Sequence, residues 1–453
     1  MRIVVDTALN NGAAEYSNMG DVAMLQVGVR RLQHLWPAAQ IEVLTESPAN
    51  LAVFCPNAKP LSRAGRDLWI GDRTILGGFD RFLPRALSAR LGVLSRGCRL
   101  RFPRAFRRLV SFRLSLRDRR NARPEISAFL EAMDHADLFV VCGAGGFTDD
   151  TRAWNISTLD TIEEAIRRGL PVVMLGQGLG PLNDPDMLDR ARTILPKVRL
   201  FTLRGGRGGA SLAQTLGLNA ERTPTTGDEA LEMAYEARNK ELGSGIGINL
   251  RVASYSKVNT DMVDKLKPVL QECARRHNAP LIPIPIAFHA WANDQLTIQR
   301  LLQGLDDSSD GGLALDAPIK VIQQASRCRV VVTGAYHGAV FAMAQGIPVV
   351  ALTASEDYNA KFQGLEDQFG LGCETVSLGA PDSSERVAAA IDRAWKSAEQ
   401  VRLPMQQAAQ RQIALSRAAY QWIAANISFS DSKPNLTGQD VRHSQLTSTP
   451  SLL

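Results

Sequence analysis

Residues Arg2-Ile3-Val4-Val5-Asp6 form a short apolar run of strand type, and the turn Asn18-Met19-Gly20-Asp21 separates it from a helical pattern. Val22, Leu25, Val29, Leu32 and Trp36 recur at the spacing of one helix face, Pro37 ends the pattern, and residues 41–45 return as a second apolar run. Strand, turn, helix and strand in that order is the building unit of a parallel sheet covered by helices on both faces. A chain that repeats this unit has few other folds open to it.

The unit does repeat. Residues 137–143 read as a buried strand closing in Gly143-Ala144-Gly145-Gly146, and 170–176 as another closing in Gln177-Gly178-Leu179-Gly180-Pro181. Residues 199–203 form a third, followed by Arg204 and a glycine-rich turn at 205–209. The charged segment 236–244 reads as a linker. A second alternation then places strands at 245–250, 280–286, 329–333 and 348–352, helices at 261–277, 319–325 and 337–345, and a long helical run over 383–425. A chain of 453 residues exceeds one ordinary core. The expectation is an α/β protein of two Rossmann-like domains facing across a cleft, at 1–235 and 245–429. The polar tail 430–453 lacks apolar periodicity and is expected to be disordered.

The most apolar window, 330–354, is interrupted by His337, Gln345, Gly346 and Pro348, so it reads as strand, helix and strand inside a core. Met1 leads directly into strand sequence with no secretory pattern, and a cytoplasmic protein is expected. The six cysteines are dispersed, with no C-x-x-C and no histidine at ligand spacing. They read as reduced thiols, and no metal site is expected.

The net charge of +6 conceals an asymmetry. Segment 62–123 holds seventeen arginines, no lysine and four aspartates, so the rest of the chain is net acidic. Leu87, Leu91, Leu94, Leu100, Phe102, Phe106, Leu109, Val110, Phe112 and Leu114 are interleaved with those arginines. A basic segment with interleaved apolar residues suits the anionic inner face of a membrane, or is a solvated helical insertion packing on its own domain. No nucleic-acid reader motif accompanies it, and no nucleic-acid partner is expected.

Ligands of doubly wound sheets sit beyond the carboxyl ends of the strands, so the strand-end residues are the candidates. Gly145 and Gly146 let backbone approach a phosphate or sugar, or allow tight strand–helix packing. Asn18, Gly20 and Asp21 form an anion site at a helix start, or Asp21 is simply a cap. Arg204 points its guanidinium into the cleft or pairs at the surface. His337, between Gly334 and Gly338, is a general acid or base, or a structural histidine. His289 lines the same cleft or belongs to an aromatic cluster, and Lys361 meets a phosphate or water.

Taken in order, Asn18-x-Gly20-Asp21, Gly143-Ala144-Gly145-Gly146, Gly176-Gln177-Gly178, Leu203-Arg204, Asp228, Gly245-Ile246-Gly247-Ile248-Asn249-Leu250-Arg251, His337-Gly338, Gln345-Gly346-Ile347-Pro348 and Lys361 resemble the polysaccharide pyruvyl transferase family. The resemblance implies a fold similar to two-domain GT-B-type glycosyltransferases. It implies pyruvyl transfer from phosphoenolpyruvate to a sugar hydroxyl of an exopolysaccharide or its lipid-linked precursor, with no metal or other cofactor. It places His337 and Arg204 on the donor. The candidates for binding the substrates are Asn18, Gly20, Asp21, Gly145, Gly146, Gln177, Gly178, Asn249, Arg251, His289, Gly338 and Lys361. One position departs. The family often has arginine two residues before the histidine of its His-Gly, where this chain has Ala335 followed by Tyr336, and Arg251, Arg329 or Lys361 are candidates to replace that cation. A nucleotide-sugar glycosyltransferase and a non-catalytic glycan-binding or assembly homologue are the alternatives on the same architecture.

Overall fold

The computed structural model describes residues 1–7, 16–70, 83–116, 122–143, 146–290, 292–305 and 311–427. Strands β1 (Arg2–Asp6), β2 (Gln40–Thr45), β3 (Lys59–Ser62), β4 (Leu138–Val141), β5 (Val172–Gln177) and β6 (Leu200–Leu203) form one parallel sheet in the order β3-β2-β1-β4-β5-β6. Strands β7 (Gly245–Asn249), β8 (Leu281–Pro283), β11 (Cys328–Thr333), β12 (Val349–Thr353) and β13 (Cys373–Ser377) form a second, in the order β13-β12-β11-β7-β8. Between β8 and β11 an antiparallel ribbon pairs β9 (Phe288–His289) with β10 (Ala292–Asn293). Helices cover both faces of each sheet, and for that reason β4, β5 and β12 are unbroken apolar runs instead of alternations.

In the first sheet the strand order reverses between β1 and β4, and in the second between β7 and β11. At such a switch neighbouring loops part and open a crevice at the carboxyl ends. Asp21 and His337 lie in the first turns of the helices that follow β1 and β11, and Arg251 in the loop after β7.

The two halves share a core. Met19, Ala23 and Met24 of helix Met19–Leu35 pack with Ala230, Leu231 and Ala234 of helix Ala230–Glu236 and with Ala339, Val340 and Phe341 of helix Tyr336–Ala344. Every residue of helix Tyr336–Ala344 is buried, as expected of the apolar window around it. The helix Ser383–Asn426 spans both halves. Val387, Ala390 and Ile391 pack on the second sheet, and Ala419, Tyr420 and Ile423 join the core around β1, β2 and β4. Among the described residues no helix is long and apolar enough to cross a membrane. The six cysteines are free, and all but Cys98 are buried. The tail 430–453 lies outside the described residues.

Segment 62–123 is only partly an insertion. Helix Arg63–Ile70 belongs to the first domain itself. Buried Arg66 pairs with Asp6 at the end of β1 (2.9 Å), and buried Arg63 donates to the carbonyls of Leu44 and Thr7 at the ends of β2 and β1. Helices Arg85–Arg101 and Pro103–Leu116 follow, and Phe106 and Val110 bury themselves beside Trp69 and Ile70. Those two apolar residues therefore face the protein core.

A buried ion cluster ties the shared helices together. Glu232 accepts from Arg31 (2.5 Å) and Arg417 (3.0 Å), while Tyr420 donates to Glu229 (2.5 Å). Burial alone would raise the Glu232 carboxyl, but Arg31 and Arg417 outweigh it and hold it at about 2. A carboxyl held below its unfolded value stabilises the fold above that value and loses the contribution as pH falls through the folded one. Glu232→Ala is expected to cost on the order of 3 kcal/mol at neutral pH, because it leaves buried Arg31 with only the more distant Glu229 carboxylate at 3.6 Å. Denaturant melts at falling pH should show the gap between variant and parent closing from about pH 4.5 toward pH 2.

Candidate active site

The loop after β1 is sewn to the opposite domain. Met19 N donates to the Ile286 carbonyl and Phe288 N to that of Ser17, both at 2.8 Å. Asn18 Oδ1 accepts from Gly20 N (3.1 Å) and caps the helix, so its side chain is occupied. At Gly20 the helix meets His337. A Cβ there would fall 1.9 Å from His337 Cγ, so only glycine lets the imidazole lie against the backbone. Asp21, one residue on, is partly exposed. Burial raises its carboxyl above the ordinary range, offset in part by His337, Arg204 and Arg251.

Arg204 leaves the end of β6. Residues 224–226 run beside that strand, with Leu203 N donating to the Pro224 carbonyl and Thr226 N to that of Leu203, both at 2.9 Å. This pairing carries Asp228 to the cleft. Asp228 Oδ2 lies 3.5 Å from Arg204 Nη1 and 3.4 Å from His337 Nε2, and Oδ1 accepts from Ala230 N at 2.9 Å. One buried carboxylate is thus shared by an arginine of the first domain and a histidine of the second. Burial would raise Asp228, but His337 and Arg204 outweigh it and hold it below the usual carboxylate range. The Arg204 guanidinium also covers the Tyr336 ring at 4.1 Å.

His337 is placed by the turn ending β11. Thr333 Oγ1 accepts from Ala335 N (3.0 Å) and donates to the Ala335 carbonyl (3.1 Å). Gly338 is a packing requirement of that turn, since a Cβ on it would lie 2.6 Å from Thr333 Oγ1. Ala335 is fully buried at the helix N-cap.

Around β7 a second buried carboxylate governs a second arginine. Asp294 accepts from Arg251 Nε (2.9 Å) and Nη2 (2.7 Å), Asn249 Nδ2 (2.8 Å), and the backbone amides of Ile286 and Ala287 (2.9 Å each). Arg251 is therefore neutralised where it stands, and Asn249 serves the same anchor. Arg329 is no substitute cation for the cleft. It sits at the amino end of β11 and pairs with Glu399 at 3.1 Å. His289 Nδ1 lies 2.5 Å from Ser17 Oγ across the domain boundary. Burial, reinforced by Arg251, lowers His289 to about 4, so it is neutral near pH 7.

Lys361, on helix Glu356–Phe369, approaches the Tyr358 ring at 4.9 Å and, among the described residues, makes no hydrogen bond or ion pair. Burial lowers its ammonium to about 8, and Arg204 adds to the shift. It is the cation of the group not matched by a contacting carboxylate among the described residues.

Other expected site residues make contacts within the fold. Gln177 Nε2 donates to the carbonyls of Val141, Cys142 and Leu175, tying β4 to β5. The Gly178 carbonyl accepts from Phe147 N, and that of Gly146 from Thr148 N. Gly145 lies outside the described residues. The cleft itself gathers Gly20, Asp21, Arg204, Arg251, His289, His337 and Lys361. Asp228, Asp294 and Tyr336 complete it. Sequence reading left all three out of the site, and the only signal for Asp228 was its place in the ordered family pattern. Among the described residues no group of histidines, cysteines and carboxylates could hold a metal ion.

The family model of polysaccharide pyruvyl transferases matches residues 18–356. The chain belongs to the polysaccharide pyruvyl transferase family. Members are enzymes that transfer pyruvyl groups, and the matched span includes Asn18, Gly20, Asp21, Arg204, Asp228, Arg251, Asp294 and His337. Lys361 falls just beyond it. Solved structures with the same two-domain GT-B-type fold include a protein assigned as a UDP-N-acetylglucosamine 2-epimerase from Listeria monocytogenes, at TM-score 0.53 and 10% identity, covering 95% of this chain and 97% of that one. MnaA of S. aureus, solved with UDP, aligns at TM-score 0.51 and 12% identity over 97% and 100% of the two chains. The glycotransferase of kitacinnamycin aligns at TM-score 0.50 and 11% identity over 94% and 99%. At these identities the likeness is one of fold. A sequence search of curated proteins finds no match.

Gly20→Ala tests how the histidine is seated. The added methyl must push the imidazole off Gly20, so the His337 ring resonances, assigned with His337→Gln, should shift. The melting free energy should fall by about 1–3 kcal/mol, the usual cost of overpacking.

Proposed function

We propose that the protein transfers a pyruvyl group from phosphoenolpyruvate to a sugar hydroxyl of an exopolysaccharide or its lipid-linked precursor, in the cytoplasm and without a further cofactor. The observation that carries this reading is the Asp228 carboxylate held between Arg204 and His337, with Lys361 nearby as an uncompensated cation. Phosphoenolpyruvate bears a carboxylate and a phosphate, and Arg204 and Lys361 are the cations suited to them. Lys361 thereby takes the place of the arginine the family often carries at the position of Ala335.

The chemistry requires a proton donor at the enol carbon. His337 in its protonated form, steadied by Asp228, gives its proton to C3 of the donor, which becomes a methyl group. The electron pair of the C=C bond forms the new C–H bond, and positive charge develops at C2. A sugar hydroxyl attacks C2 and its proton returns to the imidazole, leaving a tetrahedral carbon that still bears phosphate. Phosphate departs with the C–O bond pair, and a second sugar hydroxyl closes the ketal, its proton passing to the departing phosphate. Overall, one phosphoenolpyruvate and two hydroxyls give one ketal and one inorganic phosphate.

Acceptor-dependent phosphate release from phosphoenolpyruvate is the direct assay. His337→Gln should lower turnover by about 10²–10⁴-fold, the range for removing a positioned acid. Full turnover in that variant would overturn the assignment. The same fold carries UDP in MnaA, so thermal-shift comparison of phosphoenolpyruvate with UDP-sugars decides the donor. Stabilisation by the UDP-sugar alone favours a glycosyltransferase.

Lys361 gives the donor site a pH signature. Its ammonium is charged below about 8, so donor affinity should weaken as pH rises through that value. Donor titrations across this range should show the decline in the parent. In Lys361→Gln they should show weaker and nearly pH-independent binding.

A further inference from the structure

Helices Arg85–Arg101 and Pro103–Leu116 present a surface that neither the fold nor the proposed chemistry uses. Among the described residues thirteen large apolar side chains are exposed, and six of them fall within 87–112. Val93, Leu94, Phe102 and Phe112 are each between 57 and 64% exposed. Arg90, Arg101, Arg104 and Arg108 are exposed beside them, and among the described residues no carboxylate pairs with any of the four. The stretch 81–117 contains no aspartate or glutamate at all.

The spacing places charge and apolar groups together. At 100° per residue, Arg90, Val93, Leu94 and Arg101 share one stripe of the first helix, opposite buried Ser95 and Arg99. On the second, Arg104, Arg108 and Phe112 share the side away from buried Phe106 and Val110.

The surface is firmly mounted. Arg99 donates to the Ile70 carbonyl (3.1 Å), and Phe106 meets Trp69 edge-on at 5.5 Å. Both contacts lead to helix Arg63–Ile70, which is pinned to the carboxyl ends of β1 and β2. That is the sheet edge from which Asp21 and Arg204 also project.

We propose that this helical pair docks the enzyme on an anionic phospholipid bilayer, the arginines meeting headgroup phosphates and the Val93, Leu94, Phe102 and Phe112 side chains entering the interface. Charge complementarity selects this occupant. A second copy of the chain docked through the same face would set arginine against arginine. A polyphosphate or acidic polymer would satisfy the arginines and leave the aliphatic side chains in water. A bilayer interface receives both kinds of group at once. Docking here brings the carboxyl edge of the first sheet toward sugars held at the membrane surface. The docking itself does not rest on the identity of the donor.

The test is co-sedimentation of the full chain with phosphatidylcholine vesicles, with and without phosphatidylserine. The parent should partition to the anionic vesicles, and added salt should weaken the partitioning. R90E/R101E/R104E/R108E should lower it on the order of a hundredfold or more, at roughly fivefold per arginine at such a surface. Val93→Trp gives a readout independent of that variant's folding, since its emission should move to the blue only with anionic vesicles. Equal partitioning of parent and quadruple variant, equal binding to vesicles lacking phosphatidylserine, unchanged Val93→Trp emission, or equally tight binding to RNA or polyglutamate would each overturn the proposal.

Discussion

A carboxylate removed from water must have its charge met on the spot, and Asp228 meets that demand with groups from both domains. Arg204 approaches from the end of β6 and His337 from the turn after β11, so the position of each sheet edge is fixed by the same oxygen. The neighbouring contacts follow from this. Gly20 must lack a side chain because the imidazole has to reach Asp228, and Tyr336 lies under Arg204 because the helix that carries His337 starts with it.

Asp294 repeats the arrangement within the second domain, with the opposite outcome for function. Its two oxygens take five donors, among them both forks of Arg251. Arg251 is consequently a fixed strut with little charge left for a ligand. Two buried arginines a few residues past strand ends, similar in sequence, are thus separated by their partners. Arg204 has one carboxylate at 3.5 Å, shared with a histidine, and Arg251 has a bidentate one of its own. Lys361, without either kind of partner among the described residues, is left as the adaptable charge.

Much of this was legible from local pattern. Strands buried on both faces leave unbroken apolar runs, so β1, β5, β7, β11 and β12 stood out, and Arg204 and His337 were found because they follow such runs directly. The edge strands β3 and β13 were missed. Lys59-Pro60 reads as a turn, yet a proline lacking its amide is tolerated where a strand has a free side. Asp228 was not legible as a site residue because its position depends on residues 224–226 lying along β6, a pairing with no local signature. The neutralisation of Arg251 was hidden for the same reason, its partner standing 43 positions away. In segment 62–123 composition showed the charge correctly, but could not divide Phe106 and Val110, which face inward, from Phe102 and Phe112, which face out.

The helix Ser383–Asn426 has a consequence for how the protein is made. Ala419, Tyr420 and Ile423 complete the core around β1, β2 and β4, and Tyr420 bonds Glu229 beside the shared helices. The strands they cover leave the ribosome roughly 280 to 420 residues earlier, and domains ordinarily fold in the order in which they are synthesised. Here the first sheet keeps an apolar face open until helix Ser383–Asn426 has emerged. The amino-terminal half is therefore the part of the nascent polypeptide most exposed to premature association.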